Sequence, residues 1–457
     1  MALGAFMFSL IKKSTFLLVL SAILILSGCA GLLDLIDELA VEEASISDAN
    51  DGSRAGNAAR NVDSSDKVAD DRPNEWPQQV DPGFGGVLGL SLADDGALFV
   101  TVHSSGDVIY RFSSDGSLDW ASRPFESSSG NYGSVIGDNS SVYVAGILSI
   151  EVYDRSSGKG GMPVSSVSNY RFFTAPALAP DEALLIPYQW DAYNVMAGEE
   201  QYGSGLEIVE PGTHAFRGSI ILGPFGPGEP SGMRIERTPA VAVDGSVFFV
   251  TRGGGLYVAS TDENTLPEEN PTQILVESTS SIPHSAPAIG NDGTVYVSIG
   301  SILYAVGDEE ELWSTPLSGE PVQASPAIGP DGTVYVATGD KLFAVGGSGT
   351  IVWERELSIS DNTGIAVGDD GTVYIGTENI VYGLSPENGE AVWSFETAAG
   401  AAVTGTPVID DEGTLYFADE SGLIHAVESR SRGMALSSWP SSGGGVRQQA
   451  RQIAVGD

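Results

Sequence analysis

Several kinds of residue that functional sites often use are scarce in this chain of 457 residues. It has one cysteine and four histidines, and its 21 lysines and arginines stand against 61 aspartates and glutamates. A single cysteine excludes an internal disulfide framework. The formal net charge of −40 repels polyanions, so nucleic acid is excluded as a partner.

A hydrophobic run long enough to cross a membrane is missing near the N-terminus. Residues 16–26 are mostly apolar, but a membrane-spanning helix needs about 20 such residues. The run follows Lys12 and Lys13 and is followed by small residues, which is the pattern of a signal peptide. We therefore predict a signal peptide over residues 1–28.

The cysteine stands where that signal peptide ends. The sequence Leu26-Ser27-Gly28-Cys29 resembles the lipobox of bacterial lipoproteins. This resemblance implies cleavage before Cys29 and acylation of its sulfur and its new amino group by fatty acids such as palmitate. The other interpretation is an ordinary signal peptide with an accidental cysteine. The next residue is Ala30 rather than aspartate, which by analogy with enterobacterial sorting points to the outer membrane.

Residues 29–75 are predicted to form a lipid-anchored acidic tether. Positions 48–71 are rich in Asp, Ser, Asn and Ala and have few large apolar side chains. Such a composition cannot bury enough surface to fold. The folded domain is therefore predicted to span residues 76–457.

The folded part repeats itself with a period of about 40 residues, which indicates a β-propeller. The clearest copies are residues 287–297, 326–336, 365–375 and 407–417, and each joins two short strands through a tight turn, most often Asp-Gly. We count eight copies, with turns at Gly96, Ser140, Glu182, Gly245, Gly293, Gly332, Gly371 and Gly413. The prediction is an all-β, eight-bladed β-propeller of four-stranded antiparallel blades.

Tryptophans recur at one place in these repeats, the predicted fourth strand. They are Trp120, Trp313, Trp353 and Trp393. Large flat side chains there can pack one blade against the next.

Closure of the ring is a separate hypothesis. A propeller blade cannot bury its faces alone, so the two ends of the chain must meet. We expect the tail after Trp439-Pro440, with Arg447 and Arg451, to pack against the start near Trp76-Pro77.

The repeats resemble the pyrroloquinoline-quinone-type (PQQ-like) propeller repeat. The resemblance rests on strands such as Thr333–Val336, on the turn Asp154–Lys159, and on Ser385–Gly389 followed by Trp393. It implies the propeller fold of the quinoproteins. It does not imply the cofactor, because most lipoprotein members of the family bind no quinone, so we expect none.

Among lipid-anchored members of that family, the chain is similar to the accessory lipoprotein of the outer-membrane β-barrel assembly machinery. The two share the anchor, the blade count and the style of repeat. They differ in the acidic tether, in the sharper Asp-Gly turns and in an enlarged third repeat. The resemblance implies a role in holding other proteins.

Candidates for catalysis or metal binding are few. None of the histidines, at positions 103, 214, 284 and 425, lies at metal-ligand spacing from another. His425 occupies the aromatic position of a third strand and is predicted to be structural. Acidic turns such as Asp94-Asp95-Gly96 supply two or three oxygens, fewer than the six or more that calcium requires. We expect no metal site and no enzyme.

The third repeat is roughly 20 residues longer than the period predicts. Its extra segment contains Tyr188, Trp190, Tyr193 and Tyr202. Aromatic residues on a long loop of a rigid scaffold are typical of a contact surface for a partner protein. The other interpretation is that they fold back over a neighbouring blade.

These observations lead to one expectation of function and two alternatives. We expect a monomeric, non-enzymatic lipoprotein, held on the outer membrane and facing the periplasm. It would act as a scaffold for another protein and serve β-barrel assembly. The alternatives are a surface-exposed lipoprotein that binds a glycan or a peptide, and a divergent quinone-dependent dehydrogenase.

Overall fold

The computed structural model describes much of the chain between Trp76 and Ser442. The described residues are 76–80, 86–102, 109–122, 131–137, 140–146, 149–161, 164, 170–171, 174–194, 199–210, 212–222, 234–235, 237–261, 273–276, 285–307, 310–319, 324–360, 363–397 and 400–442. All of them belong to a unit that spans residues 64–457. The predicted signal peptide and nearly all of the tether lie outside the described residues, so their boundaries stay predictions.

The regular elements of the described residues are strands. The first half are β1 (Gln78–Gln79), β2 (Val87–Leu92), β3 (Leu98–Val102), β4 (Ile109–Phe112), β5 (Leu118–Ser122), β6 (Asn131–Ile136), β7 (Ser141–Gly146), β8 (Ile150–Asp154), β9 (Tyr170–Arg171), β10 (Ala177–Leu178), β11 (Leu184–Asn194), β12 (Glu199–Val209), β13 (Phe216–Ile221), β14 (Ala240–Val241), β15 (Ser246–Val250) and β16 (Leu256–Ser260). The second half are β17 (Gln273–Val276), β18 (Ala288–Ile289), β19 (Val295–Ile299), β20 (Ile302–Val306), β21 (Glu311–Pro316), β22 (Ala327–Ile328), β23 (Val334–Ala337), β24 (Lys341–Val345), β25 (Ile351–Glu356), β26 (Ile365–Val367), β27 (Val373–Gly376), β28 (Ile380–Leu384), β29 (Ala391–Glu396), β30 (Val403–Ile409), β31 (Thr414–Asp419) and β32 (Leu423–Glu428).

Within the described residues these strands form eight antiparallel sheets, the blades of a propeller. In chain order the blades are β2–β5, β6–β8, β9–β13, β14–β17, β18–β21, β22–β25, β26–β29, and β30–β32 joined by β1. The predicted all-β, eight-bladed fold of four-stranded blades is confirmed. Blade 2 has three described strands, and single bridges join Ile150 to Val164 and Tyr153 to Gly160. Blade 3 has five.

An aspartate fixes the turn between the first two strands of most blades. Asp331 Oδ1 accepts a hydrogen bond from the N–H of Thr333 at 3.0 Å, and Asp370 accepts the same bond from Thr372 at 3.0 Å. A short acceptor that caps its own turn favours the sharp reversal that a hairpin needs. The acidic turns of the sequence are thus accounted for by the fold.

The innermost strand of five blades carries a small residue opposite an aromatic one. Ala327 pairs with Tyr335 and Ala366 pairs with Tyr374, and all four are fully buried. First strands of neighbouring blades contact each other, as β2 does with β30 and β6. A small residue leaves room for the ring where the blades converge.

Tryptophans join neighbouring blades, as the repeat pattern predicted. Each ring packs on an aromatic residue of its own blade, as Trp353 does on Tyr335 at 5.9 Å between ring centroids. Each indole N–H also donates to a carbonyl of the next blade, at the end of its third strand or in the turn after it. These bonds run from Trp120 to Arg155 at 3.3 Å, from Trp313 to Gly347 at 2.9 Å, from Trp353 to Pro386 at 2.8 Å and from Trp393 to Glu428 at 3.2 Å.

The ring is closed by the N-terminal strand. Gln78 and Gln79 of β1 pair with Ile424 and Leu423 of β32, so β1 becomes the outer strand of the last blade. Trp76, just before β1, packs its ring on Phe112 of blade 1 at 5.6 Å and on Tyr416 of blade 8 at 5.5 Å. It therefore takes the place that a fourth-strand tryptophan has in the other blades.

The tail after β32 lies across the inner strands of blades 5 to 7. The carbonyl of Trp439 accepts from the N–H of Ile328 at 2.7 Å, and that of Pro440 accepts from Val367 at 2.8 Å. Ser438 Oγ donates to the carbonyl of Ile289 at 2.6 Å. An innermost strand has one open side whose N–H groups need acceptors, and the tail supplies them.

The path of the tail after Trp439-Pro440 is described only at its start. Ser442 donates its N–H to the carbonyl of Ile365 in blade 7, whereas Trp76 packs between blades 8 and 1. The rest of the tail, with Arg447 and Arg451, lies outside the described residues, so its packing against Trp76-Pro77 stays a prediction.

Candidate interaction surface

The enlarged third repeat forms a long β-hairpin rather than the expected loop. Strands β11 and β12 have 11 residues each and pair from Leu184–Val209 out to Asn194–Glu199. Strand β10 pairs with β11 only at Leu184 and Leu185, and β13 pairs with β12 only over Gly205–Val209. The outer part of the hairpin, residues 189–194 and 199–204, extends past these strands and is called the arm below.

The structure places the predicted contact residues at two levels of this hairpin. Tyr188 lies at the base, where its side chain is buried with 4% of its surface exposed. Trp190 pairs with Gly203, Tyr193 with Glu200, and Tyr202 with Asp191, so all three belong to the arm. Tyr188 therefore packs in the blade at the point where the arm begins. A contact role for Trp190, Tyr193 and Tyr202 stays a prediction.

The base of the arm is tightly packed. A Cβ at Gly205 would lie 2.3 Å from the carbonyl oxygen of Ile220 and 2.9 Å from the hydroxyl of Tyr188, so only glycine fits beneath that ring. Ser204 Oγ donates to the carbonyl of Tyr188 at 3.1 Å. Packing and hydrogen bonding together hold β11 and β12 in one register where the arm leaves the blade.

An arginine ties the outer strand of blade 3 to two of its turns. Arg217 on β13 forms an ion pair with Asp181, and its Nε lies 3.7 Å from Glu210. Burial on its own would raise the pKa of Asp181, but the guanidinium and the N–H of Ala183 outweigh it and lower that pKa. The carboxylate therefore stays ionised and the pair persists at neutral pH.

Blade 2 is joined to blade 3 by a histidine. The ring of Tyr143 in blade 2 meets the imidazole of His214, from a turn of blade 3, edge-on at 5.9 Å. In blade 7 the equivalent contact is made by Trp393, at 5.7 Å from Tyr374. Burial lowers the pKa of His214. The imidazole takes the space that a tryptophan ring takes at the other joints.

An acidic pocket of about 330 Å³ lies between the turns of blades 8 and 1. Its polar lining includes Asp94, Asp95, Ser114, Asp410, Asp411 and Glu412, beside Leu92, Ala93 and Ile409. Asp410 Oδ1 accepts from the N–H groups of Glu412 and Thr414 at 3.0 and 2.7 Å. Within the described part of the chain, no group of three or more His, Cys, Asp or Glu residues is placed to hold a metal ion.

One histidine forms a buried pair with an aspartate in blade 8. His425 Nε2 lies 3.0 Å from Asp419 Oδ2, and the two side chains are 3% and 1% exposed. The imidazole stacks on Phe417 at 4.7 Å. Desolvation would raise the pKa of Asp419, but hydrogen bonds from His425 and Ser421 lower it. A pair enclosed in this way has the structural role that the sequence predicted for His425.

Other residues singled out in the sequence lie outside the described residues. They are Leu26, Ser27, Gly28, Cys29, His103 and His284. Lipid attachment at Cys29 therefore stays a prediction. In the described ranges, no helix has both the length and the hydropathy to cross a membrane.

Comparison with known proteins points to propellers of the same kind. Residues 299–437 match the sequence model of the family described as outer membrane protein assembly factor BamB. No curated protein matches the chain.

Two solved structures are similar to this chain at low sequence identity. The quinohemoprotein alcohol dehydrogenase of Comamonas testosteroni is 11% identical, with a TM-score of 0.56 over 78% of this chain and 77% of that one. A catalytically inactive virginiamycin B lyase from Staphylococcus aureus, solved with quinupristin, is 13% identical, with a TM-score of 0.46 over 77% of this chain and 98% of that one.

The described residues do not fit the quinone cofactor that gives this type of repeat its name. The resemblance implies that a quinone-dependent enzyme of this type would carry a vicinal cysteine pair and a calcium site, whereas this chain has a single cysteine. The described acidic side chains form no metal-holding group. The inner strands of blades 5 to 7 are instead covered by the tail, whose Trp439 is 1% exposed.

Proposed function

We propose that this chain, a PQQ-like β-propeller repeat protein, is a non-enzymatic, lipid-anchored scaffold that holds another protein at the outer membrane. The observation that carries the proposal is the match of residues 299–437 to the assembly-factor family. The partner that this match favours is a component of β-barrel assembly in the outer membrane. A ring that carries an extended arm is a form suited to holding a partner.

The anchor and the ring are connected in a way that supports this role. The tether leads from Cys29 into Trp76 and β1, which close the ring. A lipid at Cys29 would therefore hold the propeller by its closing strand, through the predicted acidic tether. Ala30 after the cysteine favours delivery to the outer membrane, with the propeller facing the periplasm.

The arm is the proposed contact surface. It carries Trp190, Tyr193 and Tyr202, and aromatic residues dominate the binding energy of many protein interfaces. Its base is fixed by Tyr188 over Gly205 and by the hydrogen bond from Ser204 to the carbonyl of Tyr188. A fixed base lowers the entropy that is lost when the arm engages a partner.

The proposal is tested by crosslinking in cells, detergent extraction through a C-terminal tag, and identification of the proteins that copurify. We expect barrel-assembly components in stoichiometric amounts. Trp190→Ala with Tyr193→Ala should lower their recovery by about tenfold or more. The matched control is Leu312→Ala with Val352→Ala, on exposed positions of blades 5 and 6, and it should leave recovery unchanged.

The anchor is tested in the same cells by labelling with an alkyne fatty acid. The natural chain should take up the label and Cys29→Ser should not. Extraction that yields lipid and no partner protein would contradict the scaffold. Equal recovery from the arm variant and the control variant would place the contact on another surface.

A further inference from the structure

One edge of the arm has no strand beside it among the described residues. Strand β12 runs over Glu199–Val209, yet β13 pairs with it only from Gly205 to Val209. Residues 199–203 therefore have β11 on one side and no described strand on the other. An edge of this kind presents backbone groups that can pair with another chain.

The backbone groups on that edge can be assigned from the register. The N–H of Leu222 donates to the carbonyl of Ser204 at 2.9 Å, so the backbone groups of Ser204 face the β13 side. Successive residues of a strand direct these groups to alternate sides. Glu200 and Tyr202 thus face the same side as Ser204, beyond the end of β13. Each offers one N–H donor and one carbonyl acceptor there.

The other edge of the arm already accepts an additional strand. Strand β9 pairs with β11 at two positions, Arg171 with Gln189 and Tyr170 with Trp190. The blade is therefore five-stranded, and its extra strand lies on the arm. Within the described residues, the β11 edge of the arm therefore has a strand beside it and the β12 edge has none.

The sequence that follows β13 is rich in proline. Residues 223–232, which lie outside the described residues, contain Pro224, Pro227 and Pro230. Proline has no N–H to donate and is rare within sheets except at edges and bulges. Among the described residues, no strand completes a ladder along Glu200 and Tyr202.

We infer that the β12 edge at Glu200 and Tyr202 is a strand-addition site for an extended segment of another protein. The inference rests on the proposed function and deepens it, because it names backbone pairing as the way in which the arm holds its partner. Glu199, Glu200 and the net charge of −40 favour a segment that carries lysine or arginine.

The test uses a synthetic extended peptide with alternating valine or threonine and lysine, and the natural protein. Binding is followed by fluorescence anisotropy. The control peptide has the same sequence and charge but is N-methylated at alternate residues, so it cannot complete the ladder. We expect the control to bind about tenfold more weakly or worse. Equal binding of both peptides would mean that charge alone attracts them and would overturn the inference.

Two substitutions at one position separate backbone pairing from side-chain contact. Tyr202→Pro removes the N–H that faces the open side and should weaken peptide binding by about tenfold or more. Tyr202→Val also loses the ring but keeps that N–H, so it should bind the peptide about tenfold more tightly than Tyr202→Pro. Unchanged binding by a folded Tyr202→Pro variant would overturn the inference.

Hydrogen exchange on the natural protein decides the question if Tyr202→Pro does not fold. The peptide should slow exchange at the amides of Glu200 and Tyr202 and leave Gln201, whose N–H faces β11, unchanged. No added protection would overturn the inference. Because this assay needs no cellular partner, peptide binding without copurification would refute the proposed assembly role alone. Copurification without peptide binding would refute strand addition alone.

Discussion

His214 occupies a position that is glycine in comparable turns. In the turns that end at Gly158 and Gly389, the glycine has a φ of 65° or 71° and lies under a tryptophan of the preceding blade. His214 has a φ of 55°, and the blade before it has no described tryptophan. A side chain fits at this position because the ring that excludes it elsewhere is replaced by Tyr143.

The buried imidazole predicts a loss of stability in mild acid. Burial lowers the pKa of His214 below its ordinary 6.5, so the unfolded chain binds a proton first as the pH falls. The stabilising effect of the neutral ring is therefore complete above pH 6.5 and is lost as the pH falls towards the folded pKa. The nearby charged groups are Glu210 and Arg217, 3.7 Å apart, in the same turn and on β13.

The measurement is the free energy of unfolding in urea at about pH 8 and about pH 5.5 for the natural protein and for His214→Phe. All other titrating groups are common to both proteins and cancel in the difference. The natural protein should lose more stability on acidification than the variant. Parallel losses would show that His214 does not titrate at this joint.

Turns between the third and fourth strands show how the blades are matched to each other. Gly389 has a φ of 71°, and a Cβ there would lie 2.7 Å from the ring of Trp353. Gly212, in the corresponding turn of blade 3, has a φ of 72° with nothing within 4 Å. The two glycines share the left-handed backbone, but the position of Gly389 is held by His214 in blade 3, and only Gly389 lies under a tryptophan ring.

We expect alanine to have different effects at Gly212 and at Gly389. Gly212→Ala should cost about 1–2 kcal/mol, the penalty of a left-handed alanine. Gly389→Ala should cost about 1–3 kcal/mol more, because the methyl group displaces Trp353 from its joint. Urea unfolding of both variants measures the difference. Equal losses would mean that the tryptophan moves aside freely.

The arm shows what a repeat pattern can and cannot predict about an element. The excess length of the third repeat was visible because the flanking copies have a regular period. The conformation of the extra segment was not visible in the sequence, because Trp190 and Tyr193 are equally compatible with a strand and with a contact loop. In the structure Trp190 pairs with Gly203 and Tyr193 with Glu200, so the segment is a strand. A sequence pattern does not contain these contacts.

Both ends of the chain stabilise the ring, at different places. The N-terminal segment completes blade 8 through β1 and Trp76. The C-terminal tail instead joins blades 5, 6 and 7 across their inner strands, with Trp439 in the core. The closing strand and the tail thus constrain separate parts of the propeller.

The tail predicts a large effect of one substitution and almost none of another. Trp439→Ala should lower the free energy of unfolding by about 3–5 kcal/mol, since its side chain is 1% exposed. Leu436→Ala, three residues earlier and 77% exposed, should stay within about 0.5 kcal/mol of the natural protein. Denaturant unfolding compares them, and similar losses would contradict the packing of the tail on the inner strands.

By itself, the sequence determined the features that are encoded within one repeat. The eight blades, the aspartate-capped turns and the tryptophan positions each follow from residues close together in the chain. Local propensity and turn chemistry decide such features before any long-range contact forms, and repetition makes the signal stronger.

The tertiary structure alone decided which distant segments meet. Ser437 bonds to Ile328, 109 residues away, and Ser438 bonds to Ile289, 149 residues away. The joint between Tyr143 and His214 and the pocket between Asp95 and Asp410 are of the same kind. These contacts depend on how many blades fill the ring and on which strands keep an open edge. Both are properties of the closed propeller rather than of any one repeat.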